Sequence, residues 1–425
     1  MASGMTVERR GVFSAPVLCA TTANTAAVLP AHLVAAHAVF FLDEFGIGVG
    51  TLGVILALFF GTSAVLSLVA GHIADRVDPV ACLIFSSTTS FVAFISISFV
   101  QSAGWLVAVL LVAGSTNALA QPAGNVLIHR YVPMQFQGAS FGMKMGAIPL
   151  SGLIAGLLVT VAAIGDNWRR SFLLAALLAL TVTVACYRLG RRQSRTRAAE
   201  KRIDARDLSI PAMLAEGMPE APGSEETTAH RGLGWSTIIL AAAALGGAAA
   251  ASTIGGFYVL SAVDHGFSIT SAGLLLIIGS VGGLLARLGW GHLADRFRWD
   301  GLLLTATLLG VGALAIAGLS LDRSWAWLFY IASILSFATA WGWPGLLMHS
   351  VVKRHADRPG FATSVIQMGI FAGGTIGPLT YGLIAASRGY EVAWLVMGAI
   401  LILASGGCLI GARAGQKGDE HSHAE

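Results

Sequence analysis

Apolar residues come along this chain in long blocks, separated by short polar stretches. A helix needs about 20 mostly apolar residues to cross about 30 Å of hydrocarbon. Twelve segments meet that test: 15 to 41, 47 to 73, 79 to 100, 104 to 128, 138 to 163, 171 to 189, 234 to 262, 268 to 294, 300 to 319, 324 to 350, 360 to 386 and 391 to 412. Short loops join all of them except the sixth and seventh. Between those lies LGRRQSRTRAAEKRIDARDLSIPAMLAEGMPEAPGSEETTAHRG, charged, with three prolines and no sustained apolar period. It reads as a solvated linker. The pattern predicts an all-α membrane protein of two pseudo-symmetric six-helix bundles, 1–189 and 234–425, joined by a linker over 190–233, with a short tail.

The basic residues set an orientation. With both termini inside, the cytoplasmic side receives Arg9, Arg10, Arg76, Arg130, the basic linker, Arg296, Arg298, Lys353, Arg354, Arg358, Arg413 and Lys417. The outside receives only Arg169, Arg170, Arg323 and Arg388, beside several acids. That bias predicts a multi-pass protein of the cytoplasmic (inner) membrane with both termini cytoplasmic. The N-terminal MASGMTVERRGVFSAPVL starts as a secretory signal does, but its apolar run continues to Phe41 and is expected to stay as the first span.

Composition agrees: 55% of residues are hydrophobic and 11% charged, against about 25% charged in soluble domains. The 52 glycines suit helices packed closely in lipid. Disorder, collagen, coiled coil and nucleic-acid binding drop out, and the net charge of +4 reflects sorting by membrane side. Cys19, Cys82, Cys186 and Cys408 all lie in apolar stretches with no metal or redox spacing, and read as buried free thiols. No cofactor and no metal site is expected, and the chain is expected to be a monomer.

Residues 45 to 79 align with 265 to 299 at a constant offset of 220, sharing Gly46/Gly266, Gly53/Gly273, Leu56/Leu276 and Leu68/Leu288. The match tightens at GHIADR, Gly71 to Arg76, against GHLADR, Gly291 to Arg296. Duplicated six-helix halves are a signature of transporters built from repeats, with the site between them. The pattern G-x-x-x-D-R between the second and third helices of each half resembles the hallmark of the major facilitator superfamily, and the resemblance covers essentially the whole chain. It departs from the usual motif where the first copy runs on as Val77, Asp78, Pro79, while the second keeps Arg298. The marks of proton-coupled drug exporters are missing as well. Leu110 stands where their helix 4 Arg would lie, and helix 5 lacks their Gly-Pro, which occurs here only in helix 11 as Gly377 and Pro378.

The resemblance implies a gating role for Asp75, Arg76, Asp295 and Arg296. Asp75 would contact the start of helix 11 and Asp295 the start of helix 5, each a carboxylate at a helix N-terminus of the opposite half, holding the inner gate shut. The alternative is that these are solvated loop charges.

Two cations fall inside spans. Lys144 lies six residues past Gly138 and Arg287 eight before Asp295, both about 9 to 12 Å from the cytoplasmic helix ends. An ionisable residue in lipid is costly unless it faces a cavity or a partner, although both could snorkel to the headgroups. Ser140, Lys144, Ala147 and Ser151 share one helical face, and Gln367 of helix 11 is the counterpart of Lys144. Asn117, Gln121 and Asn125 form a polar stripe on helix 4, suited to a cavity or to interhelical hydrogen bonds. Thr21, Thr25 and His32 share a face of helix 1, with Pro30 expected to break the helix beside it. His32 could carry a proton, and His37 is a weaker candidate. Trp341 and Trp343 read as packing aromatics.

No Asp or Glu lies deep in a span. Two cations without an anion favour an anionic substrate, and Lys144, Arg287, Gln367, Asn117, Gln121 and His32 are the expected substrate-binding residues. Organic-acid carriers of the superfamily, including oxalate/formate exchangers and monocarboxylate carriers, likewise use an Arg in helix 8. Lys144 in helix 5 is not their arrangement, and FGMK is loosely similar to permeases of the cyanate and nitroimidazole group. The reading is therefore a secondary transporter of a small organic anion, by proton symport or anion exchange in the uptake direction. Competing readings are proton-coupled efflux of drugs or other amphipathic compounds and a transporter-like sensor. An enzyme is not expected, since no HExxH, G-x-S-x-G or phosphate loop occurs.

Overall fold

A backbone crossing lipid must satisfy its own polar groups, which leaves helices or closed barrels. This computed structural model describes residues 13–165, 167–207, 235–321, 323–354 and 359–422. The described residues form helices and no strand. Among the described residues, twelve helical spans are long and apolar enough to cross a membrane. Spans 1 to 6 are Ala15–Ala36, Val49–Arg76, Pro79–Ser98, Ala103–Tyr131, the pair Met134–Met145 and Ala147–Gly165, and Trp168–Asp207. Spans 7 to 12 are Trp235–Asp264, Ile269–Phe297, Gly301–Gly318, the pair Ala326–Ala340 and Pro344–Arg354, Pro359–Arg388, and Tyr390–Ser422.

Two boundaries differ from the sequence pattern. Span 6 continues beyond Leu189 to Asp207, because RRQSRTRAAEKRIDAR is built of good helix formers and contains neither Gly nor Pro. The remainder of the proposed linker, 208–233, lies outside the described residues. Pro30 does not break span 1, which runs unbroken past it to Ala36; His37 then makes the joint to a short helix, Ala38–Phe45.

The real breaks fall in spans 5 and 10. Pro149 has no N–H to give the carbonyl of Met145, four residues back, and its ring crowds that carbonyl. The helix accordingly interrupts at Gly146. Span 10 interrupts over Trp341–Trp343, just ahead of Pro344. Both breaks lie near mid-span, and they prove central to the site.

The two halves meet along span 2 against span 11 and span 5 against span 8. A Cβ on Gly53 would stand 2.6 Å from the Pro378 carbonyl, and one on Gly156 would stand 3.0 Å from that of Gly273. Only glycine lets these backbones touch, and the contacts seal the end of the molecule away from the linker. Such cross-half contacts run from the far end to mid-span, with Gly61 against Thr375 and Gly146 against Leu284, and Gly71, Gly142, Gly289 and Gly291 toward the linker end make none. The structure is thus closed at the far end and open at the linker end. At the sealed end, Glu44 accepts from Arg169 and, at 2.7 Å, from Trp168 Nε1, pinning the end of span 1's extension to span 6.

The repeat is visible locally. After each G-x-x-x-D-R copy an aspartate caps the next helix: Asp78 accepts from Ala81 N at 3.2 Å and Asp300 from Leu302 N at 2.8 Å. The second loop is two residues longer, and there Arg298 takes a left-handed φ of 54°. The expectation of four free thiols needs correction. Cys19 and Cys186 form a disulfide across spans 1 and 6, with Cα atoms 5.8 Å apart, while Cys82 and Cys408 are free and buried. The folded proximity of these two spans brings together residues 167 apart in sequence.

Candidate functional site

Lys144 sits in the last turn before the span 5 break, with 1% of its surface exposed. Its ammonium donates to the Gln121 carbonyl at 3.0 Å, to Gln121 Oε1 at 2.9 Å and to Asn125 Oδ1 at 2.8 Å. Three donors meet three oxygens, so the charge is held by span 4 without any carboxylate. Gln121 and Asn125, two members of the predicted polar stripe, are its cradle. The third member turns elsewhere: Asn117 donates to Ser63 Oγ at 3.1 Å on span 2, and its own Oδ1 is buried without a partner.

Arg287 behaves differently. Its Nε donates to the Trp341 carbonyl and its Nη1 to the Met145 carbonyl. These are the backbone groups freed at the two breaks, Met145 by the missing N–H of Pro149 and Trp341 in the turn ahead of Pro344. Met145 belongs to the first half and Arg287 to the second, so this guanidinium spans the seam. It is only partly buried, and of its five N–H donors three are left without an acceptor among the described residues. An intramembrane guanidinium with unused donors has the chemistry to pair with an anion.

His32 lies where spans 1, 5, 7 and 10 converge. Its Nδ1 is 2.5 Å from Ser151 Oγ, its ring stacks on Trp341 with centroids 6.2 Å apart and planes at 15°, and a Cβ on Gly255 would stand 3.1 Å from its Nε2. Trp341 is fixed in turn by its indole N–H on the Ala251 carbonyl at 3.0 Å. Trp343 is equally buried. His37 donates to the Leu33 carbonyl at 2.9 Å and its Nε2 is sealed without a partner, while Thr21 and Thr25 bond carbonyls one turn back. Gln367 is partly exposed on span 11. Among the described residues no His, Cys, Asp and Glu gather into a metal-binding group.

A model of the Major Facilitator Superfamily matches residues 15–356 and, again, 240–424. The chain belongs to this superfamily. Solved structures of superfamily transporters share the fold. A bacterial homologue of the human lysosomal transporter Spinster, inward-facing and unoccupied, superposes with a TM-score of 0.68 at 14% identity over 97% of this chain and 99% of its own. The same homologue in its occupied form gives 0.64 at 15% identity over 93% and 96%. A D-xylose-proton symporter gives 0.68 at 14% identity over 92% and 96%. No curated protein matches the chain by sequence.

As a superfamily transporter, the chain carries its repeated motif at the open end. Asp75 is exposed and, with Asn125, Val126, His129, Arg130 and Phe141, lines a recess of about 350 Å³ belonging wholly to the first half. Arg130 donates to the Asp75 backbone carbonyl at 3.1 Å. Arg76 and Arg296 are exposed, and the side chain of Asp295 lies outside the described residues. The cross-half contact expected of Asp75 would belong to the alternate state, closed at this end. Sequence reasoning found both cations and missed their partners. Pro149 was the available signal for the Met145 carbonyl; nothing in the sequence marked Trp341's.

Proposed function

We propose that this superfamily transporter is a secondary carrier that moves a small organic anion of the carboxylate type across the cytoplasmic membrane by alternating access, in the uptake direction. The observation that carries the reading is Arg287, which bridges the halves at the freed carbonyls and keeps three N–H donors for a ligand. A planar guanidinium pairs with a carboxylate in two parallel hydrogen bonds. Lys144, saturated by Gln121 and Asn125, adds positive potential behind the site. Asp75, Arg76, Asp295 and Arg296 form the gate at the linker end, which the distribution of Lys and Arg assigns to the cytoplasm. Coupling is by proton symport or anion exchange, and the working unit is a monomer.

Uptake of labelled carboxylates into proteoliposomes, wild type against Arg287→Lys, tests this. Lysine keeps the charge but gives up the fork, a loss of about one charged hydrogen bond, 1.5–3 kcal/mol, or roughly a 10- to 100-fold weaker apparent affinity. Normal affinity in Arg287→Lys would overturn the assignment.

A further inference from the structure

We infer that His32 is the proton carrier, so that each organic anion enters with a proton bound at His32 Nε2. The inference rests on the anion reading above and takes it from an open choice between symport and exchange to a named residue.

The tautomer follows from the hydrogen bonds. Ser151 donates its one hydroxyl hydrogen to the Ile148 carbonyl at 2.7 Å. With that hydrogen on the carbonyl, its oxygen accepts from the imidazole 2.5 Å away, the pairing in which the ring proton is on Nδ1 and the lone pair on Nε2. That lone pair is directed toward Gly255 of span 7, where a larger residue would cover it. His37 and His265 have Nε2 atoms sealed from solvent with no partner; the Nε2 of His32 is not among the sealed atoms. A basic nitrogen set between the two halves, on a ring held from its other side, is the arrangement a proton carrier needs.

The ring also sits on the seam. Its anchor, Ser151, belongs to its own half, whereas Trp341, stacked flat on it, and Gly255 belong to the other half. Rocking one half against the other changes what covers Nε2 while the Nδ1 bond travels with the ring, so the same nitrogen can face first one side of the membrane and then the other. The proton comes from water at one face and is released to water at the other.

The surrounding charges link the proton to the anion. Span 5 presents Ser151 and, two turns away, Lys144. Span 7 presents Gly255 and then Tyr258, whose hydroxyl donates to Ser333. Span 10 presents Trp341, whose carbonyl holds Arg287 of span 8. Spans 2, 3, 4 and 6 keep their ionisable groups at their ends: Asp75 and Arg76, Cys82, His129 and Arg130, and Arg169 and Arg170 with Arg188 and Arg191. Protonating His32 thus places a third positive charge in a pocket of two cations and no carboxylate. An anion on Arg287 offsets it, and by reciprocity the proton strengthens anion binding by the same factor.

The test uses proteoliposomes with a trapped pH-sensitive dye and labelled lactate, succinate, benzoate and nicotinate. The wild type should accumulate at least one of them against its gradient when the outside is acidic and acidify the lumen as it does so. Its affinity should fall about tenfold per pH unit above the midpoint of its own pH profile. His32→Gln should lose at least about tenfold of the gradient-driven accumulation, and what exchange it retains should have an affinity independent of pH. Wild-type accumulation or a wild-type pH profile in His32→Gln overturns the proposal. Should that variant move nothing, Ser151→Ala, which removes the acceptor of Nδ1 and keeps the ring, must displace the midpoint of the pH profile; an unmoved midpoint overturns it. A wild type that carries all four anions by exchange alone, with no acidification, overturns the proton step and leaves the anion reading intact. A wild type that carries only neutral or cationic solutes refutes the anion reading itself, before any variant is made.

Discussion

Replacing Arg287 by Met should shift the balance between the two alternating states. The side chain keeps an unbranched stem but donates nothing, so the Met145 and Trp341 carbonyls lose their common partner. Trp341 lies in the same half as Arg287, and its bond is carried along in either state. The Met145 bond crosses the seam, and we expect it to be made only in the far-end-closed shape. A hydrogen bond from a charged donor is worth about 1.5–3 kcal/mol, so Arg287→Met should reduce the far-end-closed population relative to its alternative by roughly 10- to 100-fold. Spin labels on cysteines replacing Val77 and Phe297, exposed at the linker ends of spans 2 and 8, report the opening as a distance distribution. The long-distance population of the wild type should give way to a shorter one in Arg287→Met. A distribution unchanged by the substitution, in protein that still folds, would refute the clasp and the role given to the Pro149 break. Pro149→Ala supplies an independent arm, since a restored N–H at 149 competes for the same carbonyl and should move the distribution the same way by a smaller amount.

Asp75→Asn should slow initial transport rates by about 2- to 5-fold, the equivalent of a 0.3–1 kcal/mol helix-terminus contact made in one state only, with the thermal midpoint unchanged; a wild-type rate would refute the gating role. Denatured, unreduced protein should show two reactive thiols, Cys82 and Cys408, and four after reduction, counted by mass shift with a maleimide. Four before reduction would refute the Cys19–Cys186 bond.

The twelve spans and their two-fold repeat were legible because lipid imposes one rule on every crossing segment, and apolar length reports it directly. The site was legible only as residue types. Lys144, Gln121 and Asn125 could each be placed from helical spacing, but not their union, which depends on how span 5 lies against span 4. Arg287's acceptors are backbone carbonyls, which every residue has, and only their release at Gly146 and Trp341 sets them apart. Pro30 and Pro149 show why that release is hard to read: both remove a donor, yet the helix continues past one and parts at the other. The Cys19–Cys186 pair escaped for another reason, since contacts between spans 1 and 6 leave no trace at a separation of 167 residues. The helical stretch from Leu189 to Asp207 was hidden by its polarity, because a helix continuing beyond the membrane needs propensity rather than an apolar face.

Charge selectivity bears most directly on the account. Uptake into proteoliposomes of nicotinate against nicotinamide, and of lactate against lactamide, compares each carboxylate with a neutral partner of nearly the same shape. An amide offers Arg287 one acceptor in place of two and no charge, and at 1.5–3 kcal/mol for the lost charged bond the carboxylate of a transported pair should be preferred by roughly 10- to 100-fold. Equal transport of the amide, or transport of amides alone, would contradict the assignment of this protein as an organic-anion carrier.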